Sequence, residues 1–141
     1  MDFDLDRFVA AQESVYDRVK AELQSGRKQS HWMWFVFPQI AGLGSSDMAK
    51  RYAISSLDEA RAYLAHPVLG MRLREGTALV LETNGKSAED IFGYPDNLKF
   101  HSSMTLFARA AREDTETEFR NALDRFFDGE EDEATVKRLQ D

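Results

Sequence analysis

The chain has 141 residues with 43% apolar and 11% aromatic side chains, long enough for one domain with a real core and too apolar for a disordered or fibrous protein. It contains no cysteine, which excludes disulfides, thiolate-held metal and a thiol nucleophile. The net charge of -7 is uneven: up to Arg112 there are 14 acids and 14 bases, and from Glu113 onward 11 acids and 4 bases. The balanced body lacks the basic patch that nucleic-acid binding requires, so no nucleic-acid partner is expected.

In chain order the pattern is helical. Phe8, Ala11, Val15, Val19 and Leu23 recur at three- and four-residue steps and predict one first helix, capped by Asp4 or Asp6 and closed at Gly26. A short aromatic segment from His31 to Phe37 follows, with Ser30 as its cap and Pro38 as its stop. Residues Gln39 to Ser46 read as a loop, and Asp47 to Tyr52 as a short helix capped by Ser45 or Ser46. Ser56 and Glu59 have the spacing of a capping box, opening a helix to about His66. Pro67 then starts a helix that runs to Asn84-Gly85.

Ser87 opens a short turn ending at Gly93, and Pro95-Asp96 starts a helix to about Arg112. Thr115 or Thr117 caps the next helix, with Phe119, Ala122, Leu123, Phe126 and Phe127 turned inward until Gly129. No period-two strand stands out. The expectation is an all-α, single compact domain of about seven helices with no sheet, spanning 1–129, followed at 130–141 by an acidic C-terminal helix or frayed tail.

The start Met1-Asp2-Phe3-Asp4 lacks the basic and apolar regions of a leader, and no apolar run nears the roughly 20 residues that cross a bilayer. A cytoplasmic protein with no membrane partner is expected. Three histidines without paired spacing predict no metal site, and the absence of phosphate-cradling or dinucleotide glycine motifs predicts no cofactor.

Two polar-aromatic clusters remain as candidate chemistry. In the first, Trp32 and Trp34 are the chain's only tryptophans. Two positions apart on a helix, they face different sides, so one can fill the core while the other walls a pocket and stacks a ring. His31 is the candidate catalytic acid or base, because imidazole titrates near neutral pH. Gln39 can donate to and accept from an amide or a base edge.

The second cluster is Lys99, His101, Ser102 and Thr105. Hydroxyl side chains in an apolar helix compete for backbone partners, so they imply either close packing over small residues or a polar pocket meeting the His31 segment. His66 at a helix junction and Arg72 and Arg74 on the next helix have ready structural explanations.

These blocks resemble a known family. His31-Trp32-Met33-Trp34-Phe35-Val36-Phe37-Pro38-Gln39 is similar to the H-W-M-W-[FY]-[IV]-F-P-Q signature of domain of unknown function family 1810. Tyr63-Leu64, His66-Pro67, Leu69-Gly70 and Arg72-Leu73 resemble a second block of that family; Asp96, Lys99-Phe100 and Ser102 to Phe107 resemble a third. The resemblance implies an all-helical bacterial domain with no established activity. Some of that family carry a calpastatin label, which a compact helical pattern does not support.

Two functions are compatible with this reading. One is binding or hydrolysis of a nucleotide-like or sugar-phosphate small molecule by His31, Trp32, Trp34, Gln39, Lys99, His101, Ser102 and Thr105. The other is a non-enzymatic interaction domain that docks a basic protein partner on the acidic C-terminal helix, beside Phe126 and Phe127.

Overall fold

The computed structural model describes residues 3–112 and 116–140. Among them the chain forms ten helices and no strand, so the all-α class holds while the number of helices exceeds the expected seven. They are α1 (Asp6–Glu13), α2 (Tyr16–Gln24), α3 (Met33–Val36), α4 (Asp47–Arg51), α5 (Leu57–Ala65), α6 (Leu69–Leu81), α7 (Ala88–Phe92), α8 (Asp96–Ala110), α9 (Glu118–Phe127) and α10 (Glu133–Gln140).

Part of the excess arises because the first apolar stripe is served by two helices. α1 packs on α3 and α2 on α6, and the chain bends at Ser14-Val15 to reach both partners. Gln12, at the end of α1, is buried, and its amide donates to the Phe35 carbonyl at 2.6 Å. A continuous stripe conceals such a bend, because both halves keep the same helical period.

The caps divide similarly. Ser46 accepts from the Ala49 N–H, and Ser87 and Asp90 form a full capping box, as hydroxyls at helix starts should. Ser56 accepts from the Glu59 N–H, but the Glu59 carboxylate turns to the Ser55 N–H instead of closing the box. Neither Asp4 nor Asp6 caps α1: the cap position is Leu5, which makes no side-chain bond. Thr117 precedes α9 without a capping bond, and Thr115 lies outside the described residues. Ser30 does not cap α3 either; its hydroxyl donates to Glu22.

α8 is the central post. Its Phe100, Met104 and Phe107 are fully buried, and α5, α7, α9 and α10 pack around it. Phe37, just after α3, meets Phe92 and Phe100 edge-on at centroid distances of 5.8 and 5.2 Å, a favoured aromatic geometry. This contact fixes the aromatic segment against α8, and the chain then leaves through Pro38 and Gln39. A single parallel bridge, Ile40 with Ile54, ties the following loop back to the body.

α10 returns onto α8. The backbone N–H of Asp132 donates to the Thr105 hydroxyl at 2.8 Å, and Arg109 holds Glu131 with two bonds of 2.7 and 2.9 Å. At its far end Arg138 donates to the Gly42 carbonyl at 3.1 Å. Gly42 has a φ of 97°, which favours glycine, and the absence of a Cβ lets the flexible Arg138 guanidinium lie against its backbone.

Candidate functional site

The aromatic segment is oriented by one carboxylate. Glu22, on α2, is nearly buried, and its Oε1 accepts from the Gln29 N–H, the Ser30 N–H and the Trp32 indole N–H at 2.8, 3.0 and 2.9 Å. Its Oε2 accepts the Ser30 hydroxyl at 2.5 Å. Burial pushes this carboxyl upward, but the hydrogen bonds from Ser30, Gln29 and Trp32 outweigh it and hold the pKa near 2. Trp32 is thereby locked into the core, 1% exposed with its polar edge satisfied.

Trp34, two residues on, takes the other side. It is half-buried and forms a wall of a cleft of about 460 Å³. Five pieces of chain enclose that cleft: α3, the Gln39–Ser46 loop, α4, the start of α8 and the start of α10. Its volume falls within the roughly 300–1,000 Å³ typical of small-molecule sites.

Four of the eight sequence-selected residues meet in the cleft: Trp34, Gln39, Lys99 and Ser102. The other four lie outside its lining. His31 is exposed, and Trp32 and Thr105 are buried. His101 stacks on Phe127 at 4.0 Å, with its Nε2 bonded to the Glu130 carbonyl at 2.8 Å. Thr105 and His101 thus serve the docking of the C-terminal segment. The two explanations for hydroxyls in α8 both apply: Ser103 is a small residue in the packed interior, while Ser102 faces the pocket.

The cleft also contains residues the sequence did not single out: Leu43, Ser45, Pro95, Leu98 and Asp132 among them. Asp132 Oδ2 accepts from the Ser102 hydroxyl at 3.2 Å and from the N–H and hydroxyl of Thr135 at 3.0 and 2.7 Å. Its carboxylate is therefore fixed at the start of α10, and Oδ1 takes no hydrogen bond from the described residues. The sequence signal was an aspartate three residues before a threonine, hidden within an acidic run.

Charge in the cleft is organised by Asp96. This carboxylate pairs with Lys28 at 2.8 Å and with Lys99 at 3.3 Å, and each lysine lies over one tryptophan. Lys28 Nζ stands 5.2 Å from the Trp32 ring centroid, and Lys99 Nζ stands 4.7 Å from that of Trp34. A cation on an aromatic face contributes about 0.5–2 kcal/mol, similar to the about 1–3 kcal/mol of a base stacked on a ring. Lys99 thus occupies a place over the Trp34 ring while paired with Asp96.

The polar groups around Trp34 are open. Its indole N–H, the Gln39 side-chain amide and the Ser45 hydroxyl take no hydrogen bond from the described residues, in contrast to the bonded indole of Trp32. No group of three or more His, Cys, Asp or Glu among the described residues could hold a metal ion, and no described helix is long and apolar enough to cross a membrane.

The model of the family "Protein of unknown function (DUF1810)" matches residues 2–139. The chain belongs to this family. DUF1810 membership agrees with the three blocks noted above, and it brings no assigned activity. A solved structure of the same kind is the conserved hypothetical protein Rv1873 from Mycobacterium tuberculosis. It is 57% identical with a TM-score of 0.95, over 99% of this chain and 98% of that one. Comparison with curated proteins finds no match.

Proposed function

We propose that the cleft walled by Trp34 is a binding site for a small polar molecule of nucleotide-like or sugar-phosphate type. The observation that carries this reading is the convergence of open hydrogen-bonding groups on one aromatic wall: the Trp34 indole N–H, the Gln39 amide, the Ser45 hydroxyl and Asp132 Oδ1, with Lys99 as the cation. None of these open groups is spent on a partner among the described residues, so each keeps its hydrogen-bonding capacity for a ligand that displaces water from the cleft.

Binding is the core of the proposal. Asp132 is a carboxylate within the cleft lining, whereas His31 is exposed and outside that lining, so the binding proposal is built without it. The second reading, docking of a basic partner on the C-terminal helix, draws on Phe126 and Phe127. Both rings pack in part against Phe100, at centroid distances of 6.2 and 6.1 Å, and no observation favours this reading over the cleft.

A thermal-shift screen of nucleotides and sugar phosphates tests the proposal. A ligand at about 100 times its Kd should stabilise the native state by about 2.7 kcal/mol. The stabilisation should fall sharply in Trp34→Ala and in Gln39→Ala. The Gln39 variant removes no side-chain hydrogen bond to the described residues, so its own unfolding should stay close to wild type. Stabilisation that survives both substitutions would place the ligand elsewhere.

A further inference from the structure

Lys99 stands over the Trp34 ring, and both side chains line the cleft. We infer that the cleft selects a phosphorylated sugar or polyol rather than a ligand held by base stacking. This inference rests on the small-molecule reading above and narrows its ligand class.

The argument is positional. Lys99 Nζ lies 4.7 Å from the Trp34 ring centroid and 3.3 Å from Asp96 Oδ1, so the ammonium is held by two partners. A planar base seeking the covered face must displace Lys99 from the ring, surrendering one favourable contact to gain a similar one. Among the cleft's lining residues Trp34 is the sole aromatic, so a base finds no second ring to sandwich it. A phosphoryl group, by contrast, can bond Lys99 without moving it off the ring; it shares the ammonium with Asp96, whose charge Lys28 also offsets.

The remaining groups suit hydroxyls. Asp132 Oδ1 is an open acceptor on a carboxylate whose other oxygen is fixed by Ser102 and Thr135, and it can accept from a sugar hydroxyl without reorganising. The Gln39 amide and Ser45 hydroxyl can each donate or accept, as a ring of alcohols requires. Leu43, Pro95 and Leu98 supply the apolar contact that the C–H face of a sugar needs.

The test divides one nucleotide into overlapping parts. Ribose 5-phosphate, adenosine and inorganic phosphate are titrated by calorimetry into wild type, Trp34→Ala, Lys99→Gln and Asp132→Asn, with circular dichroism confirming that each variant is folded. Wild type should bind ribose 5-phosphate at least about tenfold more tightly than adenosine or inorganic phosphate. Lys99→Gln should weaken ribose 5-phosphate by about tenfold or more while leaving adenosine unchanged or tighter, because it bares the Trp34 face.

Trp34-dependent binding that favours adenosine would overturn the sugar-phosphate inference and leave the cleft reading intact. Inorganic phosphate binding as tightly as ribose 5-phosphate, and unaffected by Asp132→Asn, would overturn the role given to hydroxyl recognition. Binding of none of the probes in a Trp34-dependent manner would overturn this inference. The cleft reading would fall with it only if the wider nucleotide and sugar-phosphate screen were also negative.

Discussion

Replacing Phe37 by alanine is expected to lower the stability of the fold by about 3–5 kcal/mol, the usual loss for a large buried aromatic side chain. Phe37 is fully buried and joins Trp32, Phe92 and Phe100 in one aromatic cluster. A Cβ on Gly76 would sit 3.4 Å from the tip of its ring, so α6 also closes on this side chain. Three helices and the aromatic segment therefore share the cavity that the substitution leaves. Because domains are stable by only about 5–15 kcal/mol, urea unfolding should show a large fall in midpoint with little change in slope. A loss below about 1 kcal/mol would mean that the cluster repacks and does not anchor the segment.

Glu22→Gln should cost less, about 1–3 kcal/mol, and should also change the pH response. The amide oxygen can keep the three bonds that Oε1 accepts from Gln29, Ser30 and Trp32, while the new NH2 group faces the Ser30 hydroxyl, which must turn from donor to acceptor. The loss is therefore that of the charge, because hydrogen bonds to a charged group are stronger than those to a neutral one. The sign of the pH effect follows from the lowered pKa. An unfolded Glu titrates near 4.5 and the folded Glu22 near 2, so the unfolded state binds more protons in between, and stability rises with pH there.

The contribution, about 3 kcal/mol for a shift from 4.5 to about 2, is fully present above pH 4.5 and is lost as the pH falls toward 2. Wild type should therefore lose more stability between pH 5 and pH 2 than Glu22→Gln, in unfolding curves measured across that range. Equal losses would show that Glu22 is not the carboxylate that the aromatic segment depends on.

The features legible in the sequence are those set by local chemistry. Ser46 and Ser87 cap where hydroxyls precede helices, Pro38 ends the aromatic segment, and Phe100, Met104 and Phe107 face inward on α8. What was hidden depends on distant partners. The bend at Ser14-Val15 exists because α1 and α2 serve different neighbours, and Ser30 leaves its expected cap for Glu22 because that carboxylate gathers the whole turn.

The candidate site follows the same rule. Trp34 and Gln39 were suspect from their own neighbourhood, and Lys99 and Ser102 from the odd polarity of their helix. Asp132 was not, because its place in the cleft exists only once α10 folds back onto α8. His101 and Thr105, expected as ligand-binding groups, instead find polar partners in the segment 130–132 that leads into α10. The periodic pattern says that a polar group needs a partner, and tertiary structure decides which one.

The two tryptophans separate the two jobs of the aromatic stretch. Trp32 is core, with its indole bonded to Glu22; Trp34 is wall, with an indole N–H that bonds to none of the described residues. That contrast supplies the most direct test. In a 1H–15N spectrum of the protein, the two indole N–H signals are resolved and assigned with Trp32→Phe and Trp34→Phe, then followed while ribose 5-phosphate is added. The account predicts a saturable shift of the Trp34 signal with the Trp32 signal nearly still. A Trp34 signal that never moves with any nucleotide or sugar phosphate, or a shift centred on Trp32, would contradict it.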